Sequence, residues 1–371
     1  MSAIKILHAA DLHLDSPFEA LPAGKAAIRR KEQRELLDAL AKLAAAERVD
    51  LVLLSGDLLD SSTPYYETGE DLVRALRDIP AAVFISPGNH DFYSPRSPYA
   101  RLQMPDNVHI FTDSAIRCFA LPSLKVRVYG AAFTENRSGA LLRGFRAERK
   151  EGVLNLLCMH GELGSRDGTY NPISEEDLAQ SGIDYAALGH IHKASGLRQA
   201  GRTWYSWPGC PEGRGFDETG EKYVNIVELE PGQCRLKQVS IALRRYEQLQ
   251  VDVTGADPLL AIHSSLPDDT VCDVYRITLI GETDAAPDLQ RLQDTLSELF
   301  FELQLRDETR LRRGVWDCAG EDTLRGLFLA RLKARYDAAK TEEERRKLEQ
   351  AARWGLAALD NAEEVVQHED Q

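Results

Sequence analysis

Residues 50–60, DLVLLSGDLLD, decide the fold. An apolar run of buried-strand length stops at Ser55-Gly56, and Asp57 follows where a strand runs out into a loop. The same pattern recurs on either side. Upstream, IKILHAA (4–10) leads into Asp11 and His13. Downstream, AAVFISPG (81–88) leads into Asn89, VLNLLCMH (153–160) ends on His160, and DYAALGH (184–190) delivers His190 and then His192. In an open α/β sheet, ligands bind outside the carboxyl ends of the strands, so side chains placed just past such runs converge. Gly56, Gly88, Gly161 and Gly189 stand beside them, where tight turns let backbone come close.

The donor types narrow the chemistry. Imidazole, carboxylate and amide oxygen without thiolate suit manganese, iron or zinc, and argue against an iron–sulfur cluster or a structural zinc site. Seven side chains give two metals four protein ligands each only if one carboxylate bridges, and Asp57 is the natural bridge. Two metals roughly 3.5–4 Å apart generate a hydroxide nucleophile and clamp both oxygens of an in-line displacement at phosphorus. No serine or cysteine nucleophile is then needed, and a two-metal hydrolase is the expectation.

DxH at 11–13, GDxxD at 56–60, GNHD at 88–91, a lone histidine at 160 and GHxH at 189–192, in this order, resemble the signature of the calcineurin-like metallophosphoesterases. HAADLHLDSPF (8–18) and PGCPEGRGFDETGEKYV (208–224) are similar to the YhaO-like members of its DNA repair exonuclease branch, which includes the SbcD nucleases. The resemblance covers roughly residues 1–240. It implies one metal on Asp11, His13, Asp57 and His192, and a second on Asp57, Asn89, His160 and His190. It makes His90 the non-ligand histidine that stabilises or protonates the leaving oxygen, with Asp91 hydrogen-bonding that imidazole. Asp60 stands where some relatives carry a second catalytic histidine. Ser61 speaks against the protein phosphatases, which carry arginine there, and GDLLD lacks the tyrosine ligand of purple acid phosphatases.

Lys193 and Arg214 are candidates to hold phosphate, or else solvated surface charges. His8, His109, His263 and His368 fall outside the motifs and read as structural or surface residues. The six cysteines are dispersed, without a CxxC pair, and read as reduced thiols; Cys210 alone lies near the proposed site. Residues 1–245 carry 30 Lys and Arg against 32 Asp and Glu, whereas 246–371 carry 15 against 27, so the acidic surplus belongs to the C-terminal third. No strongly basic stripe marks a nucleic-acid surface; Arg29, Arg30, Lys31 and Arg34 share one predicted helix and read as a solvated face. No apolar run approaches the roughly 20 residues of a membrane span. The first ligand at position 11 leaves no room for a cleaved signal, so a cytoplasmic protein is expected.

The fold class expected is α/β: a metallophosphoesterase two-sheet β-sandwich flanked by helices over 1–243, an α/β capping domain over 244–304 and a helical C-terminal region over 305–371. Helices at 25–47 and 66–78 connect the first strands in a βαβ rhythm. Strands near 194–198, 202–206, 222–229 and 234–241 are assigned to an edge of the second sheet. Beyond the boundary, RRYEQLQVDV and DVYRITLIGE read as strands, Asp257-Pro258 as a helix start, and 287–303 as a helix. The last helices have apolar residues at helical spacing; they form either a packed hairpin or, by the resemblance, a dock for an SbcC-like coiled-coil ATPase, with Phe328 and Trp354 as anchors. No GxxxxGK[ST] loop occurs, so ATPase activity must come from a partner. The expected function is a two-metal phosphodiesterase acting on DNA, with two divalent ions, Mn2+ foremost and Fe2+ or Zn2+ next, and DNA, the ATPase and a second copy of the chain as partners. The alternatives are a phosphoesterase for a small phosphorylated substrate or cyclic nucleotide, and a non-catalytic scaffold.

Overall fold

A computed structural model describes residues 3–61, 63–164 and 168–359. The chain forms two compact units, Met1–Arg245 and Tyr246–Gln371.

The first unit opens with β1 (Ile4–Ala9), α1 (Ala23–Glu47), β2 (Leu51–Leu54), α2 (Tyr66–Asp78), β3 (Ala82–Ile85), the short α3 (Pro98–Arg101) and β4 (Val108–Ile110). β1 to β4 pair in parallel. A second run follows: β5 (Arg117–Leu121), β6 (Val126–Gly130), β7 (Leu154–His160), α4 (Glu175–Gln180), β8 (Tyr185–Gly189), β9 (Arg198–Ala200) and β10 (Thr203–Ser206). The hairpin β11 (Val224–Glu230) and β12 (Gln233–Val239) then closes the unit. The two mixed six-stranded sheets run β12-β11-β1-β2-β3-β4 and β5-β6-β7-β8-β10-β9.

Side-chain alternation explains the layering. Ile4, Ile6, Leu51, Leu53 and Phe84 of the first sheet share one buried cluster with Val126, Val128, Leu154, Leu156 and Cys158 of the second. The intervening residues, Leu7, Ala9, Val52, Leu54, Val83 and Ile85, pack instead with Leu37, Leu40, Ala41, Leu72 and Leu76 of α1 and α2. A period of two thus divides each strand between an inter-sheet core and a helix layer. Both faces being covered, the central strands read as unbroken apolar runs.

One assignment is corrected here. β9 and β10 do lie at the edge of the second sheet, but the 224–239 hairpin joins the first, with β11 antiparallel to β1 from Ile4↔Leu229 to His8↔Asn225. A local pattern marks a strand without naming its partner, and β11 pairs with a strand more than 200 residues earlier in the chain.

The second unit holds a parallel three-stranded sheet of β13 (Tyr246–Asp252), β14 (Val274–Ile280) and β16 (Glu302–Asp307). A two-stranded pair of β15 (Glu282–Thr283) and β17 (Arg310–Leu311) accompanies it. α5 (Pro258–Ser265) starts at Asp257, whose carboxylate accepts the Leu260 N–H. α6 (Leu289–Leu296) ends in a 3-10 turn at 297–299. The helix expected to 303 therefore stops early: Leu303 packs into the same buried cluster as Leu292 and Leu296, and Glu302 pairs with Val274 as β16 begins. α7 (Leu324–Ala338) and α8 (Glu342–Leu359) form a hairpin in which Leu329, Ala352 and Leu356 are buried together. Phe328 packs into this hairpin, and its ring occupies the space a side chain at Gly355 would need. It belongs to the hairpin interior, whereas Leu324 and Leu327 are exposed and Trp354 is at the surface. No helix among the described residues is long and apolar enough to cross a membrane.

Candidate metal centre

Asp11, His13, Asp57, Asn89, His160, His190 and His192 are gathered at the ends of β1, β2, β3, β7 and β8. His13 Nε2 and His192 Nε2 lie 3.2 Å apart, in a group with Asp11. His160 Nε2 and His190 Nδ1 each lie 3.1 Å from Asn89 Oδ1. Asp57 Oδ2 stands between these sets, 3.7 Å from His13 Nε2 and 3.3 Å from His160 Nε2. Two donor sets thus face one shared carboxylate.

The backbone is bent to present them. Asp11, His13, Asp57 and His190 all have positive φ, a left-handed conformation that costs a non-glycine residue about 1–3 kcal/mol and is held by the surrounding fold. Hydrogen bonds across the strand ends supply that hold: Asp11 N–H donates to Gly56 O, His13 N–H to Asp57 O, and His190 N–H to the Asp11 carboxylate at 3.0 and 3.1 Å.

Three of the candidate ligand histidines have their other ring nitrogen engaged. His13 Nδ1 is 2.9 Å from Asp60 Oδ1, His192 Nδ1 is 2.6 Å from Glu218 Oε1, and His160 Nδ1 is 2.9 Å from Ser55 O. A Nδ1–H donated outward leaves Nε2 as a lone pair, the form that binds metal. With both Nδ1 atoms donating outward, the Nε2 lone pairs of His13 and His192 face each other 3.2 Å apart, and a cation between them would satisfy both. Protonation divides the set: at His192 burial opposes charge, but Glu218 and Asp11 outweigh it and raise the imidazole. Burial lowers His13 and His190 to about 4, keeping both neutral. At His160, burial opposes charge but Asp57 and Asp11 outweigh it and raise the imidazole to about 9. Burial raises Asp11 to about 6. A proton held so tightly among carboxylates marks the charge that divalent ions would neutralise. The residues fit two such ions.

His90 is exposed, with Nδ1 3.1 Å from the Asp60 carbonyl oxygen and its ring 4.8 Å from that of His13. The expected bond from Asp91 to His90 is replaced by another arrangement. The Asp91 carboxylate is fully buried and accepts N–H groups from Gly88, Leu58, Asp57 and Leu59 at 2.7–3.3 Å, and the Tyr99 hydroxyl at 2.5 Å. Asp91 stitches the two ligand-bearing turns together. The Arg214 guanidinium is engaged with Glu218, His192 and Asp60. Lys193 is exposed and, with His192, Cys210 and Lys222, lines a cavity of about 300 Å³. Cys210 is buried, and burial pushes its thiol up, so it is not a reactive thiolate. Arg29 is corrected as well: it is fully buried, with Nη1 2.9 Å from Glu32 and 2.8 Å from Glu212. His8 is buried against Tyr185 and Leu188 O, His109 stacks on Phe84, His263 is exposed, and His368 lies outside the described residues.

Sequence alone does not single out Glu218, since a lone glutamate in a loop gives no local sign of a histidine 26 positions earlier. Gly189 shows how tight the packing is. A β-carbon there would fall on Ser55 O and close against His160 Nδ1. Gly189→Ala should therefore push apart the Ser55–His160 bond, cost about 1–3 kcal/mol in stability and weaken metal binding about 10–100-fold on the His160 side. Calorimetric metal titration checks this, and unchanged affinity would refute it.

Strand ends that converge buried imidazoles on a shared carboxylate define a metal-dependent phosphoesterase. The chain belongs to the calcineurin-like phosphoesterases, whose family pattern matches residues 4–194. It is 31% identical over 353 residues to the metallophosphoesterase YhaO of Bacillus subtilis, covering 87% of this chain and 82% of that protein. It is 28% identical to the DNA double-strand break repair protein Mre11 of Aeropyrum pernix, covering 67% and 64%. The SbcD component of the SbcCD nuclease of Bacillus subtilis is 24% identical, with 62% and 67% covered. A dimetal phosphatase from Danio rerio superposes with a TM-score of 0.44 at 12% identity, covering 64% of this chain and 96% of that one.

Proposed function

We propose that the chain is a two-metal phosphodiesterase acting on DNA, the nuclease component of a DNA repair complex in the cytoplasm. The observation that carries the hydrolytic reading is Asp57 Oδ2 facing both donor sets. DNA as substrate is supported by the likeness to proteins named for double-strand break repair and for the SbcCD nuclease.

In this reading Asp11, His13, Asp57 and His192 hold one ion, and Asp57, Asn89, His160 and His190 the other, with Mn2+ the preferred metal. When bound, the pair supplies Lewis-acid polarisation of the phosphoryl oxygens and an activated water. The chain's own groups do the remaining work. Donation from His90 Nδ1–H to Asp60 O leaves Nε2 to carry the exchangeable proton toward the departing oxygen. Asp91 keeps the 57–59 and 88–91 turns in register, so that Asn89 and Asp57 stay aligned. Lys193, exposed beside His192, is left to meet the phosphodiester backbone.

The second unit, with its 244–304 α/β part and 305–371 helical part, serves substrate selection and docking of an SbcC-like ATPase. Leu324 and Leu327 stand 71% and 60% exposed one helical turn apart and supply the apolar surface such docking needs. Pairing of two copies of the chain belongs to the same reading.

Purified protein with Mn2+, given labelled DNA of several end types and, in parallel, small phosphodiesters, should degrade DNA. Rapid hydrolysis of the small substrates alone would replace this reading with the small-molecule one, and no hydrolysis of either would favour a scaffold.

A further inference from the structure

We propose that Arg214 is a positioning residue: by clamping Glu218 and Asp60 it sets the ligating tautomers of His192 and His13 and makes the Asp11–His13–His192 position the tighter of the two metal positions. This rests on the two-metal reading above.

Arg214 grips Glu218 as a fork. Its Nε is 3.1 Å from Oε2 and its Nη2 2.6 Å from Oε1, while its main-chain N–H donates to Oε2 at 2.9 Å. Nη1 reaches Asp60 Oδ1 at 3.4 Å. The oxygens it holds are the same ones that accept from the ligands: Glu218 Oε1 from His192 Nδ1, and Asp60 Oδ1 from His13 Nδ1. A single guanidinium therefore ties together the two carboxylates behind the facing His13 and His192 rings. Planar, bidentate contact of this kind fixes direction as well as charge.

His192 Nδ1 shows why the grip matters. Glu218 Oε1 stands 2.6 Å from it and Arg214 Nη2 3.0 Å from it. One ring nitrogen serves only one of them. Donating to Glu218 leaves Nε2 free to bind metal, whereas accepting from Arg214 puts the proton on Nε2 and blocks it. The contact to Glu218 is the shorter, 2.6 Å against 3.0 Å, and its carboxylate can only accept, so the geometry favours the ligating tautomer.

Among the described residues the other half of the centre has no such frame. His160 is backed by a main-chain carbonyl, and Asn89 is neutral. Behind His13 and His192 stand two carboxylates against one guanidinium, an excess of one negative charge that favours a cation held by the two rings. The loop carrying Arg214 is itself anchored. Arg29 of α1 pairs with Glu212 at 2.8 Å and donates to Gly213 O at 3.4 Å.

Full-length, metal-stripped protein titrated with Mn2+ by calorimetry, with bound metal counted after dialysis, tests the proposal. Wild type should bind two ions with unequal affinity. Glu218→Gln, whose amide can donate to Nδ1 and favour the wrong tautomer, and Arg214→Gln should each weaken the tighter ion about 10–100-fold and leave the other unchanged. Arg214→Lys, which keeps the charge and loses the fork, should fall between. Asn89→Ala should weaken the other ion instead. Unchanged melting of the metal-free variants separates positioning from misfolding, and a variant that fails this control is replaced by Arg214→Lys. Two ions in wild type with both affinities unaltered, or both equally weakened, in Glu218→Gln and Arg214→Gln would overturn the frame alone. Fewer than two ions in wild type would overturn the two-metal reading and the frame with it.

Discussion

Asp57→Ala should abolish hydrolysis and empty both metal positions together. No other ligand candidate has this effect, because Asp57 Oδ2 faces His13 on one side and His160 on the other. Its carboxylate is buried; burial alone would raise it, but His160, His13 and His90 outweigh burial and hold it well below the usual carboxylate range. Removing it takes away the counter-charge on which both ions depend. Asp57 Oδ1 also accepts the His90 N–H at 2.9 Å, so alanine leaves that donor without its partner, at a cost of about 1–3 kcal/mol. Asp57→Asn keeps an acceptor in place and should recover stability without metal. Elemental analysis beside a turnover assay checks both, and full activity in Asp57→Ala would refute the shared-carboxylate assignment.

His90→Ala should behave in the opposite way, keeping two ions and a normal fold while turnover falls about 10²–10⁴-fold. Its imidazole is exposed whereas His13 and His160 are buried. His90 also falls within a His13–Asp57–His90 group whose donor atoms lie within 4.8 Å of one another. His13 and Asp57 already belong to the facing sets, and this favours a proton-transfer role for His90. Loss of one ion from His90→Ala would move it into the ligand set.

The convergence of the candidate ligands is legible in the sequence because each lies at or just past the end of its strand, with a glycine close by in most cases. Strand ends on one side of a parallel sheet have to meet, so order along the chain carries the geometry. What stands behind the ligands is not legible. Glu218 serves His192 and Asp60 serves His13 across 26 and 47 residues, and nothing in local spacing announces such pairs. Adjacency in GNHD suggests that Asp91 contacts His90, whereas the turn directs its carboxylate inward to four backbone amides. Arg29 looks solvated beside Arg30 and Lys31, yet helical rotation places it alone among them on the buried face with Gln33 and Leu37. The same limit affects β11 and β12: alternation identifies both strands but not the sheet that receives them.

The pairing of β1 with β11 has a consequence for how the protein is made. The partner of β1 on one side, β2, is complete by residue 54, but the partner on its other edge is not available until residues 224–230 emerge. At about 5–20 residues per second, that interval lasts on the order of 10–35 s. For that time a nascent chain carries an unpaired strand edge lined by Ile4, Ile6 and Leu7, the kind of edge that recruits other chains. Glu218 and Arg214 emerge in the same late stretch, so the ribosome releases these two supports of the metal centre only as the sheet that shields β1 is completed.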